Sequence, residues 1–346
     1  METAQSTREF AQRINDISPA VEGWLQVNMG VFQNESFAPC DLYRVVKPKN
    51  LSIKTQRRFV LFAQEGFPFG NDIQKRLFDY GITSLFIRER DSDLYFSYVK
   101  EVTNNILRNK NSTSPEKAAA VYTCCREIMK KVYDEPRSVS LKVAKGLIEP
   151  TIDLILADSA TTHSLLKLAA FDNDTYTHCT NVGIFAVALA KAYFGINSES
   201  ELRRLGPGFF LHDIGKCEIP LEIINKPGPL SPDERKVVQK HPASSIRILK
   251  EMGIQDEETL LIASQHHERD DGKGYSSGLS RSEIHPYARI CRIADIYEAL
   301  TSNRPYHRRR SSFDALKFMH EELITDIDQG LFATFVKIFA PSPREG

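Results

Sequence analysis

The 346-residue chain has no apolar run long enough for a bilayer. Its longest, Val182 to Ala190, stops at Lys191 and falls well short of the roughly 20 residues a membrane helix needs. A secretory leader is missing too, because residues 1–16 carry Glu2, Arg8 and Glu9 and no apolar segment, so a cytoplasmic protein is expected. The six cysteines (Cys40, Cys124, Cys125, Cys179, Cys217, Cys291) form no C-x-x-C pair, which excludes a zinc knuckle and a disulfide framework and implies reduced thiols. Neither sign of charge is in excess, with 45 Lys+Arg against 45 Asp+Glu. No partnership with DNA or RNA is therefore expected, and any polyanionic ligand has to be small and locally bound. Internal repeats and low-complexity tracts are absent as well. What remains is a chain with 41% hydrophobic residues, ample for one large domain or two smaller ones.

The apolar pattern divides the chain. Residues 1–108 read as a small α+β unit, with strands at 58–62 and 84–87 and a helix over 71–80 that Asn71 or Asp72 caps and Gly81 ends. This unit has no catalytic patterning, so it is expected to sense, dock or pack. Residues 109–116 are polar and end in a serine and a proline suited to starting a helix, which marks a linker. From 117 to 340 the chain reads as almost wholly helical, with segments at 118–132, at 143–156 with Pro150 at a break or kink, and at 171–193.

In the last of these, Val182, Phe185, Ala186, Leu189, Ala190 and Tyr193 recur at helical spacing and predict one buried face. His178 lies four residues before Val182, and Asp174 four before His178, so both extend that inward face. Polar groups entering a core must be paired or ligated, because an unsatisfied one costs on the order of 1–3 kcal/mol.

Downstream, His212 and Asp213 are adjacent in Leu211-His212-Asp213-Ile214-Gly215-Lys216. Helix neighbours diverge by about 100°, so such a pair converges on one ion only at a helix end or beside a cluster of ions. His241-Pro242, His266-His267-Glu268 and Asp295 follow, the last on a helix whose stripe is Ile290, Ile293, Ala294 and Tyr297. Asp174, His178, His212, Asp213, His241, His266, His267 and Asp295 are too many ligands for one ion and imply two or more. Imidazole mixed with carboxylate and no thiolate suits iron, manganese, cobalt or nickel better than a structural zinc site. A bridging carboxylate such as Asp213 would hold two ions roughly 3.5–4 Å apart around a hydroxide, an arrangement that cleaves phosphate esters.

The order H, HD, H, HH, D, with HDIGK, INKPGPLSPDE, HHERDDGKGY and ARICRIADIYEALTSNRPY, resembles the HD-GYP phosphodiesterase domain of the HD-domain metal phosphohydrolases. The resemblance implies a mainly α fold: an all-helical HD-type bundle with its metal core at about 171–307, preceded by the small N-terminal unit. It implies two or three divalent ions, iron or manganese, and hydrolysis of cyclic di-GMP to pGpG or GMP. By the same resemblance His178, His212, Asp213, His241, His266, His267 and Asp295 ligate the ions and Asp174 serves an additional one. Lys216 would stand beside the scissile phosphate, with Asp213 and Lys216 the catalytic pair, while Gly274, Tyr275, Arg304 and His307 would contact substrate.

Three departures from the family pattern matter. His307 stands where a Lys or Arg is usual; it is shorter and neutral for much of the time near pH 7, which implies weaker or pH-dependent phosphate binding. Ser276 replaces the signature proline, freeing φ and implying a more mobile loop that affects GGDEF-type partners before hydrolysis. Glu298 replaces an Asp, to no effect that sequence explains. Alternative functions are a weak or inactive receptor or scaffold for cyclic di-GMP or GGDEF proteins, and a phosphodiesterase for another cyclic dinucleotide. A second copy of the chain, as a homodimer, is among the expected partners.

Overall fold

A computed structural model describes residues 23–32, 36–46, 58–69, 71–82, 84–134, 141–170, 175–195, 199–302 and 309–339. The chain divides into two compact units, one ending at Tyr95 and one starting at Phe96.

In the first unit, β1 (Trp24–Asn28), β3 (Leu42–Val46), β4 (Arg58–Ala63) and β6 (Ser84–Arg88) form an antiparallel sheet in the order β1-β6-β3-β4. β2 (Ser36–Phe37) and β5 (Pro68–Phe69) pair separately. Strand alternation sets the two faces. Leu25, Val27, Leu85 and Ile87 are buried, while Trp24 stacks on Phe59 with ring centroids 4.0 Å apart under the Arg88 guanidinium. The helix expected over 71–80 is α1 (Asn71–Asp79). The two expected strands are β4 and β6, and β3 lies between them.

The boundary differs from the one expected at residue 108. It falls inside α2 (Ser92–Arg108), whose residues from Phe96 onward belong to the helical unit. Lys100, Asn104 and Leu107 line a cavity of about 440 Å³ together with Lys117, Gly146 and Asp153. Only a turn at 109–113 separates α2 from α3 (Ser114–Asp134).

The second unit is helical: α4 (Leu141–Ala157), α5 (Ser159–Ala169), α6 (Thr175–Phe194), α7 (Glu199–Leu211), α8 (Leu221–Ile224), α9 (Pro232–Val238), α10 (His241–Glu251), α11 (Glu257–Gln265), α12 (Pro286–Thr301), α13 (Ser312–Glu322) and α14 (Gln329–Ile338) follow α3. Helix α4 continues through Pro150, so of the expected break or kink the break is absent. Helix α6 is the axis, packed by α3, α4, α5, α7, α12 and α14. The single apolar stripe expected there is an underestimate, because every residue from Cys179 to Ala190 is buried, as a helix ringed by six others requires. Phe185 meets Tyr297 of α12 edge-on at 5.1 Å and Phe335 of α14 at 6.3 Å. Among the described residues, no helix is long and apolar enough to cross a membrane.

Candidate metal centre

The polar residues that enter this core come mostly from helix ends. Helix α7 stops at Leu211, so His212 and Asp213 sit just past a terminus, where adjacent side chains are free to converge. A 3-10 turn (Ile214–Glu218) follows and presses against the start of α10. Gly215 makes this possible: a Cβ there would lie 2.2 Å from the His241 carbonyl oxygen and 2.5 Å from the Ser245 nitrogen. Its N–H donates to Ser245 Oγ at 2.9 Å. His241 opens α10, and His266 and His267 follow the end of α11, which Asp256 caps through the Thr259 N–H. His178 comes from α6, and Asp295 and Glu298 from α12.

Three of the imidazoles are oriented alike. His212 Nδ1 donates to Phe209 O at 2.8 Å, His241 Nδ1 to Val238 O at 2.7 Å, and His266 Nδ1 to Ala263 O at 2.9 Å. A carbonyl only accepts, so in each neutral ring the proton is on Nδ1 and the Nε2 lone pair faces inward. His241 Nε2 and His266 Nε2 are 3.3 Å apart, and Asp213 Oδ1 lies 3.0 Å from the first and 3.4 Å from the second. On the other side, Asp213 Oδ2 is 3.2 Å from His178 Nε2 and 3.4 Å from His212 Nε2. Asp295 Oδ1 is 3.3 Å from His178 Nε2, and its Oδ2 is 3.9 Å from His267 Nδ1.

Two clusters emerge, each with donor atoms within 4.8 Å of one another. His178, Cys179, His212 and Asp213 form one, and Asp213, His241, His266 and His267 the other. Asp213 is common to both. His212 Nε2, Asp213 Oδ1 and His267 Nε2 are buried without a hydrogen-bond partner among the described residues. Buried acceptors facing one another without protons between them are costly, and divalent cations satisfy them. The residues present therefore fit a metal centre.

The electrostatics agree. Burial pushes His266 down to about 4, and the neighbouring His212 adds to the effect. Burial, with His266 beside it, likewise holds His267 well below the usual imidazole range. Both are neutral at pH 7, the form that ligates. Burial would also lower His178, but the Glu298, Asp213 and Asp295 carboxylates outweigh it and favour positive charge on that ring. Burial would raise Asp213, yet Lys216, His212 and His241 hold it well below the carboxylate range. Asp295 is held down in the same way, against burial, by His178 and His267.

Several surrounding groups escaped sequence reasoning. Glu298 is buried and accepts from His178 Nδ1, while the Ser302 hydroxyl donates to its other oxygen. A carboxylate behind an imidazole fixes the ring and raises its basicity. Its position one turn beyond Asp295 was the available signal, and the partner 120 residues away was not readable. Cys179, in the first cluster, is 2.7 Å from the Tyr133 hydroxyl, a hydrogen-bond distance. Glu268 is buried and accepts from the Ser277 N–H at 2.5 Å and the Leu279 N–H at 3.0 Å.

Among the expected substrate contacts, Lys216 Nζ donates to Asp213 Oδ2. Tyr275 stacks on His267, with centroids 4.6 Å apart and 24° between planes. Gly274 has a packing reason, since a Cβ would lie 2.5 Å from both Arg269 N and Glu268 Cα. Asp174, Arg304 and His307 lie outside the described residues.

A model of the HD domain matches residues 196–331. A cyclic di-GMP phosphodiesterase of Pseudomonas aeruginosa is 33% identical over 194 residues, 56% of this chain and 46% of its own length. The cyclic di-GMP phosphodiesterase response regulator RpfG of Xanthomonas campestris is 39% identical over 128 residues, 36% of this chain and 33% of its own. A 3'3'-cGAMP-specific phosphodiesterase of Vibrio cholerae is 35% identical over 164 residues, 47% of this chain and 37% of its own. The chain thus spans less than half the length of these curated relatives. A solved HDG"Y"P protein of Bdellovibrio bacteriovorus shares the fold at a TM-score of 0.67 and 17% identity, over 91% of this chain and 99% of that one. Residues 196–331 thus match the HD domain, and the chain is similar to HD-GYP proteins in ligand order and in fold.

Proposed function

We propose that the chain is a metal-dependent phosphodiesterase that opens cyclic di-GMP to linear pGpG and on to GMP, in the cytoplasm. The observation that carries this reading is Asp213, whose two oxygens face two separate groups of imidazoles. His178, His212 and Asp213 would hold one ion and Asp213, His241, His266 and His267 a second, with Asp295 between His178 and His267. Imidazole and carboxylate donors favour iron or manganese. Asp174 would serve a third ion. When bound, such ions polarise a phosphoryl oxygen and lower the pKa of water to about 7.

The chain's own residues account for the rest. Asp213 and Asp295, held ionised, and His266 and His267, held neutral, keep the centre ready for cations at neutral pH. Lys216 is placed to stabilise charge on a phosphoryl group beside Asp213. Hydrolysis adds water across one P–O3′ bond, leaving a 5′-phosphate and a 3′-hydroxyl. Tyr275, flat against His267, gives the site an aromatic wall on which a base can stack. Arg304 and His307 are proposed to hold the nucleotide phosphates.

A second substrate is 3'3'-cGAMP, since relatives named for it match as closely as those named for cyclic di-GMP. A receptor or scaffold for the nucleotide or for GGDEF partners, as a monomer or homodimer, is the rival from another class, motivated by Ser276 and His307. Incubating metal-loaded protein with cyclic di-GMP, 3'3'-cGAMP and cyclic di-AMP, with products separated by chromatography, tests all three. Linear products from cyclic di-GMP support the reading; tight binding without product favours the receptor.

A further inference from the structure

Gly274 and Tyr275 belong to a loop that returns over the site after the ligand pair His266-His267, and one residue ties the two together. Glu268 is 1% exposed and directly follows that pair. Both its oxygens are spent on the loop's far side, Oε1 on the Ser277 N–H at 2.5 Å and Oε2 on the Leu279 N–H at 3.0 Å. The near side is held by close packing, with Gly274 against the Glu268 backbone. Tyr275 N–H donates to His267 O at 3.3 Å, and its ring lies over the His267 ring.

A carboxylate is an acceptor at both oxygens, so it alone among side chains of this length satisfies two backbone donors with no donor of its own. We infer that Glu268 is a positioning residue: its carboxylate clamps the 274–279 loop so that Tyr275 is held over His267, pre-organising the aromatic wall of the substrate site. The clamp acts through the loop and touches neither ion nor substrate. It also offsets the missing signature proline, since the loop around Ser276 is fixed by hydrogen bonds rather than by a ring.

This inference rests on the proposed dinucleotide site, and the test separates the two. Glu268→Gln keeps the shape but turns an NH₂ toward one of the two N–H groups. The variant and the unaltered protein are compared, metal-loaded, by amide hydrogen exchange, elemental analysis, equilibrium binding of cyclic di-GMP, and kcat and KM. The expected result is exchange about 10–100-fold faster at Ser277 or Leu279, as loss of a charge-assisted bond implies. Metal content is expected to stay unchanged. Binding should weaken about 10-fold and KM rise with it, with kcat changing less. Glu268→Asp should restore part of the binding.

Unchanged exchange at both amides overturns the clamp. Faster exchange with unaltered binding overturns its role toward substrate, leaving a purely structural contact. If the unaltered protein neither binds nor cleaves cyclic di-GMP, the proposed function fails, and exchange alone still judges the clamp.

Discussion

His241 and His266 face each other Nε2 to Nε2 across 3.3 Å, each with its Nδ1 proton committed to a backbone carbonyl three residues earlier. Two lone pairs so placed repel unless a cation lies between them. This arrangement comes from two helix ends, and Asp213 Oδ1 sits beside both.

Glu298 behind His178 predicts a metal-affinity effect. Glu298→Gln removes the carboxylate charge that orients the His178 ring and holds it electron-rich. Affinity for the ion on the His178 side should fall about 10–100-fold. Titration with manganese followed by calorimetry checks this; unchanged affinity would mean Glu298 only fills space.

Lys216 is i+3 from Asp213 and donates to it. Lys216→Met should lower kcat by about 10²–10³-fold, the usual effect of losing one pre-organised charge. Metal content by elemental analysis should hold at the unaltered level. A fall in metal with activity would assign Lys216 to the ion site instead.

The metal-free protein should be acid-labile in a defined window. His266 has a folded value of about 4 against an unfolded value near 6.5, so between these the unfolded chain binds a proton that the folded one does not. Stability therefore falls as pH drops from 6.5 to 4, by about 1.4 kcal/mol per pH unit for such a group, and His267 adds in the same direction. His178 runs oppositely, its contribution being present below 6.5 and lost as pH rises through its raised value. Urea unfolding of chelated protein at pH 7 and pH 5 reads the slope, and His266→Asn should flatten it.

Gly215 should tolerate no side chain. Gly215→Ala puts a methyl against the backbone of His241 and Ser245, which cannot move without moving a ligand. The expected cost is about 1–3 kcal/mol, or roughly 2–12 °C in Tm by scanning calorimetry. An unchanged Tm would show that the turn relaxes freely.

The sequence made legible what is local. His178 followed from its spacing to Val182, and the convergence of His212 with Asp213 from the need for a helix end after Leu211. The apolar stripe of α12 was readable from Ile290, Ile293, Ala294 and Tyr297, all of which are buried. Long-range partnerships were not legible. Glu298 reaches His178 across 120 residues, and Glu268 closes a loop only after the chain has turned back. Strands β1 and β3 were not read from the sequence: β1 pairs with β6, far along the chain, and β3 lies between β4 and β6 in an order the chain does not announce. The full burial of α6 depends on six neighbours that its own periodicity does not announce. Pro150 stayed helical where local rules favour a stop, because burial within the bundle outweighs one lost hydrogen bond.

Asp213, facing both groups of imidazoles, is the residue on which the proposed metal centre depends. The direct measurement is metal per chain, by elemental analysis of anaerobically purified protein, for the unaltered chain and for Asp213→Ala. Two or more iron or manganese ions are expected in the first and loss of both in the second, because each cluster gives up a donor. Two ions retained in Asp213→Ala, or none bound by the unaltered protein, would contradict this.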